Sequence, residues 1–194
     1  MQKTPSVFLR DFTLPGNPLT RQVNPEAQWV IDGEGVATRK YDGTCVMLDD
    51  QGRWWARREV KPGKPTPANF RRVDGDDTTG KVMGWEPIEQ SGWAKFHAEV
   101  LASGVTYGGG LPGTYELVGP RINGNPERLP EHRLIRHADA EQILWPRSDR
   151  TYDRIRGLVL DLHAGHGWEG IVFHHPDGRM AKIKASDFRN ETTP

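Results

Sequence analysis

The sequence predicts an α+β fold of mostly antiparallel sheets flanked by helices. Three observations carry that expectation. Short apolar runs recur at Val36–Thr38, Thr44–Leu48, Trp54–Ala56, Tyr115–Val118, Gly170–Phe173 and Met180–Ile183, each bounded by turn residues. Asp49-Asp50-Gln51-Gly52 and Pro176-Asp177-Gly178 separate neighbouring runs, as the turns of β-hairpins do. Two stretches instead repeat apolar residues at helical spacing. In 91–103 they are Trp93, Phe96 and Val100, with Ser91 as the expected N-cap and Gly104 as the stop. In 149–164 they are Tyr152, Ile155, Val159 and Leu162, with Gly165 as the stop. Strands, helix, strands, helix and a final hairpin make an α+β order.

The chain has 194 residues, the size of a single domain, expected to run over 1–194. The polar stretch 61–86 is too long for an ordinary connection and is expected to be functional or mobile. One cysteine, Cys45, excludes an intrachain disulfide and a thiolate zinc site. No run approaches the length of a membrane span, and the first residues lack the apolar core of a leader. A soluble, cytoplasmic protein is expected. With 26 basic and 26 acidic residues the net charge is zero, so nucleic acid must be met by a local patch. Arg53, Arg57, Arg58, Lys61, Lys64, Arg71 and Arg72 form a candidate, opposed by Glu59 and interleaved with Trp54, Trp55 and Phe70. Such mixing suits a single strand whose bases can stack, although charge alone equally fits a solvated strand edge.

The residues that suggest chemistry begin at Arg39-Lys40-Tyr41-Asp42-Gly43-Thr44. Alternation along a strand puts Lys40 and Asp42 on one face, with Arg39 and Tyr41 on the other. A lysine amine attacks only when neutral, which calls for desolvation or other cations beside it. Near the C-terminal end, Glu169 and Gly170 open a strand. After the next turn, Lys182 and Lys184 alternate with Ile183, so the two lysines share a face and should meet an anion such as phosphate. Glu169 could hold a divalent cation there, since such ions prefer oxygen ligands. Between these segments, Glu116 lies inside the apolar run Tyr115–Val118, where a carboxylate needs a partner, either a cation or a sugar hydroxyl. Each element alone also fits an ordinary strand or turn.

Taken in order, Lys40-Tyr41-Asp42-Gly43, Glu116-Leu117-Val118-Gly119, Glu169-Gly170-Ile171-Val172 and Lys182-Ile183-Lys184 resemble the motifs of covalent nucleotidyltransferases. That superfamily holds DNA ligases, RNA ligases and mRNA capping enzymes. Trp55-Ala56-Arg57, Lys61-Pro62 and Ile122-Asn123-Gly124-Asn125-Pro126 are similar to a family of small ATP-dependent 5′-to-3′ RNA ligases. The resemblance implies an adenylation domain in which Lys40 becomes linked to AMP and then passes it to a 5′-phosphate, which a 3′-hydroxyl attacks. It implies catalytic roles for Lys40, Glu169, Lys182 and Lys184. It implies nucleotide contacts from Lys40, Asp42, Gly43, Arg57, Glu116, Lys182 and Lys184. It gives Mg²⁺ or Mn²⁺ to Glu169 and Glu116, ATP as the donor, and RNA ends as the substrate.

Two departures bear on the reading. Many relatives stack an aromatic ring on the purine, but 132–137 holds no Phe, Tyr or Trp, which leaves His132 or His137 as the substitute. No OB domain is expected within 194 residues, which favours an RNA ligase over a DNA ligase or capping enzyme. The alternatives are a GTP-dependent capping-type guanylyltransferase, a general polynucleotide ligase, and a silent module that binds nucleic acid. Cys45, His174-His175 and Gly108-Gly109-Gly110 are read as structural: no base serves the thiol, the histidines face opposite ways, and the glycines lack a P-loop ending.

Overall fold

The computed structural model describes residues 4–76, 79–104 and 110–189, with the backbone alone at 147. Among them are strands β1 (Phe8–Arg10), β2 (Leu19–Val23), β3 (Val36–Lys40), β4 (Thr44–Leu48), β5 (Trp54–Val60), β6 (Arg71–Asp76), β7 (Lys81–Pro87), β8 (Gly113–Val118), β9 (Arg133–Arg136), β10 (Gln142–Ile143), β11 (Gly170–His174) and β12 (Met180–Lys184). The helices are α1 (Gln28–Ile31), α2 (Ala94–Ser103) and α3 (Tyr152–His166). Every strand pair between named strands is antiparallel. The fold is mixed, as expected. No helix among the described residues is long and apolar enough to cross a membrane.

The chain divides into two compact units, 4–41 with 141–189, and 42–140. The first carries a four-stranded sheet in the order β10-β3-β11-β12 and the small β1-β2 pair. Its register sets Gly170 opposite both Lys40 and Lys184, and Val172 opposite both Thr38 and Lys182. Directly opposed residues share a face. The other face carries Ala37, Ile171, Phe173, Ala181 and Ile183, which are buried with Ile155 and Val159 of α3. Each large apolar side chain buried there contributes roughly 1.5–3 kcal/mol. This apolar face therefore holds the sheet and frees the lysine face for chemistry. Thr151 caps α3 by accepting from the Arg154 N–H, and Gly167, left-handed at φ 72°, ends it. The stop falls at Gly167 rather than Gly165, which lies inside the helix. Residues 5–7 run along β12: the Lys182 N–H donates to the Pro5 carbonyl, and the Val7 N–H to that of Lys182.

The second unit carries a six-stranded sheet in the order β6-β7-β5-β4-β8-β9. Val46, Leu48, Ala56, Tyr115, Leu117 and Leu134 are buried with Val100 of α2, and Trp93 and Phe96 pack against this core. The helix starts at Ala94 rather than near Ser91, whose hydroxyl instead accepts from the Trp93 N–H. The stretch 61–86, read as a polar connection, holds β6 and most of β7. The edge strand β6, Arg-Arg-Val-Asp-Gly-Asp, is polar along its length, so no apolar alternation announced it. Gly108 and Gly109 of the glycine run lie outside the described residues.

Candidate active site

In the first unit the Glu169 carboxylate lies between two lysines. Its Oε2 accepts from Lys40 Nζ at 2.5 Å, and its Oε1 pairs with Lys184 Nζ. Lys40 ends β3, and its Nζ also donates to the Tyr41 carbonyl at 3.4 Å. Glu169 immediately precedes β11, and Lys184 ends β12. Three strand ends in register thus gather three charged groups. Gly170 makes this possible. A Cβ there would lie 2.1 Å from the Ile183 carbonyl oxygen, so only glycine lets β11 approach β12 this closely. It also leaves the place between Lys40 and Lys184 free of a side chain. Lys182 stands one pleat along the same face, opposite Val172. Thr38 and His174 share that face and are hydrogen-bonded to each other at 3.1 Å.

Burial pushes the Glu169 carboxyl up, but the Lys40 charge and hydrogen bonds from Lys184 and Lys40 outweigh it and hold the carboxyl below its ordinary 4.5. Glu169 is therefore a carboxylate at neutral pH. The single Glu169 carboxylate is shared by Lys40 and Lys184, and Lys182 stands on the same half-buried face.

The second unit presents a different arrangement. Glu116 is buried, as its place in an apolar strand required. Its partners are the Gly43 N–H, 3.1 Å from Oε1, and His137 Nε2, 2.9 Å from Oε2. His137 Nδ1 lies 2.9 Å from Thr114 Oγ1. A ring that donates from Nε2 to the carboxylate can accept at Nδ1 from the threonine hydroxyl, so a neutral His137 satisfies every group. His137 is thus engaged by Glu116, while His132 packs on Phe96 and pairs with Glu99 at 2.9 Å.

The Asp42-Gly43 turn is pinned from several sides. Glu127 accepts from the Asp42 N–H at 2.8 Å, and Asn123 Nδ2 donates to Asp42 Oδ1 at 3.0 Å and to the Gly43 carbonyl at 2.8 Å. A Cβ at Gly43 would meet the Leu117 carbonyl oxygen at 2.4 Å, so the close strand packing here requires glycine. Because β3 ends at Lys40, the alternation used to pair Lys40 with Asp42 does not extend to the aspartate. Arg57 lies over the Trp85 ring at 5.5 Å.

Of the residues singled out in the sequence, Lys40, Glu169 and Lys184 meet directly, and Lys182 shares their face. Gly43 meets Glu116, and Asp42 shares their unit with Arg57. Sequence reading missed His137 as the partner of Glu116, and Glu127 and Asn123 as the ties of the turn. The Asn-Gly-Asn signal marked Asn123 as a bend, but its amide's reach to Asp42 is a long-range contact. No group of three or more His, Cys, Asp or Glu side chains able to hold a metal occurs among the described residues.

RNA ligase 1 of Mus musculus is 25% identical over 76% of this chain and 65% of its own length. The chain is distantly similar to RNA ligases. RNA ligase 1 of Rattus norvegicus is 24% identical over the same shares. The chain thus spans somewhat less than two thirds of the length of these relatives. No protein-family model matches it.

Proposed function

We propose that this protein is an ATP-dependent RNA ligase that joins 5′-phosphate and 3′-hydroxyl ends through AMP linked to Lys40. The observation that carries the reading is the triad of Lys40, Glu169 and Lys184 on one cationic face, formed by motifs that resemble those of covalent nucleotidyltransferases. The distant similarity to the mouse and rat RNA ligases supports it.

In the first step, neutral Lys40 Nζ attacks the α-phosphorus of ATP. An N–P bond forms, the bond to pyrophosphate breaks, and the amine loses one proton to solvent. In the ion pair with Glu169, Lys40 is an ammonium and cannot attack, so that pair describes a resting arrangement. Lys184 shares the carboxylate and competes for it. In the second step, an oxygen of an RNA 5′-phosphate takes the AMP from Lys40. In the third, a 3′-hydroxyl attacks the activated phosphate, and AMP leaves. Negative charge on phosphate oxygens must be met at each step, and Lys182 and Lys184 are placed to meet it on a preformed strand.

A magnesium ion fits as one held jointly by a carboxylate and substrate phosphates, the usual way this ion binds. Glu169 would hold it, and it would add positive charge against the phosphate oxygens. For Glu116 we keep the role that the resemblance gives it, a contact to the sugar of the nucleotide.

The test is incubation with α-labelled ATP and magnesium, without RNA, followed by addition of 5′-phosphorylated RNA. An acid-labile, base-stable label is expected on the protein, absent from Lys40→Ala, and lost as RNA is sealed. Labelling by GTP in place of ATP would turn the reading to a capping-type enzyme. A label that persists in Lys40→Ala would overturn it.

A further inference from the structure

Residues on the Glu116 face of the six-stranded sheet extend well beyond Glu116. The register places Cys45 opposite Glu116, Met47 opposite Trp55, and Trp85 opposite both Arg57 and Arg71. All of these share one face. At the end of β4 far from Gly43, a cleft of about 600 Å³ opens beside that face, within the usual size range of ligand sites. Measured along β4, it is roughly 15 Å from the Asp42-Gly43 turn.

The floor of the cleft is a stack. Trp55 is buried, and its indole Nε1 donates to Asp49 at 3.0 Å. The Arg71 guanidinium lies 3.8 Å above the Trp55 ring, with Arg53 at 5.6 Å. Asp49 also binds Arg53 at 3.1 Å and Arg71 at 3.7 Å. Tied to a ring below and a carboxylate beside it, Arg71 presents a fixed plane, yet its side chain remains 47% exposed. Phe70, whose ring lies against Gly84, also lines the cleft, while Asn69 and Glu89 offer polar groups at the rim. The cations Arg53 and Arg71 are matched by Asp49 and Glu89. The cleft therefore lacks the surplus charge that captures a phosphate. It has what a base needs: a flat cation, an aromatic wall and hydrogen-bonding edges.

We propose that this cleft binds an unpaired base of the RNA strand, stacked on Arg71, away from the reacting end. The identity of the strand rests on the RNA-ligase reading; the choice of a base over a phosphate rests on the stack. The base would lie on the exposed side of Arg71, hold the flanking strand along the Glu116 face, and leave adenylylation untouched.

Binding of a fluorescent, 5′-phosphorylated single-stranded RNA tests this, measured by anisotropy without ATP for the wild type, Arg71→Ala and Arg71→Lys. A matched strand made abasic along its length serves as control, and Lys40 labelling by ATP is followed in the same preparations. Both variants should bind the RNA about tenfold more weakly, since lysine keeps the charge but not the plane. The abasic strand should bind all three proteins alike, and labelling should proceed at wild-type rate. Wild-type RNA affinity in both variants overturns the proposal. So does full affinity in Arg71→Lys alone, which would assign the cleft to a phosphate. Loss of labelling in the wild type would sink the ligase reading instead, while the anisotropy still decides the cleft.

Discussion

The two sheets hold their buried charges in opposite ways. On the four-stranded sheet, one carboxylate is shared by Lys40 and Lys184, with Lys182 on the same face. On the six-stranded sheet, Glu116 is fully satisfied by a backbone N–H and a histidine. The first makes one carboxylate serve two lysines, whereas the second gives each carboxylate oxygen a donor of its own. Removing a lysine from the first should therefore damage chemistry more than folding, and removing a partner from the second should damage folding.

The largest effect tests the first half of that contrast. Lys184→Ala should slow formation of the Lys40 adenylate by ~10²–10³, the usual loss for one preformed contact to a charged transition state. Its melting temperature should stay near wild type, because Lys40 still pairs with Glu169. A variant that labels at full speed would show Lys184 to be an edge charge only.

His137→Ala addresses the other half. It leaves one oxygen of a buried carboxylate without its partner, which costs about 1–3 kcal/mol. Thermal melting should register that loss, and His137→Gln, which can still donate, should recover part of it. Unchanged stability would erase the distinction between the two sheets.

A smaller effect lies in acid. The folded carboxyl of Glu169 is held below 4.5, so its stabilisation is complete above that pH and is lost as pH falls through the lowered value. Glu169→Gln should be less stable than wild type at neutral pH and should lose less as pH drops through this range. Parallel acid limbs for the two proteins would place the stabilisation elsewhere.

Much of this was legible in the chain. The β4-β5 and β11-β12 hairpins were visible because their turns and alternation are local, and the same alternation put Lys182 and Lys184 on one face and Ile183 in the core. The need of Glu116 for a partner followed from its apolar neighbours. The partner itself did not, since nothing between 116 and 137 encodes the β8-β9 register that brings His137 to it. The strand β6 escaped because a polar edge strand carries no apolar signal. The union of Lys40 with Glu169 depends on pairing across more than a hundred residues, and the order of motifs suggested it only through resemblance.

That pairing also sets when the lysine cluster can assemble. The unit 42–140 is continuous in the chain, whereas the other is split around it. During synthesis Lys40 emerges early, but β11 and β12, which bring Glu169 and Lys184, emerge near the end. The six-stranded sheet can fold while Lys40 waits on a strand whose partners are not yet made. A chain halted before Met180 would keep the Glu116 network, yet it would leave Lys40 without the lysines that complete its face. Half-made copies therefore lack the cluster of Lys40, Glu169 and Lys184, which forms only in chains finished through β12.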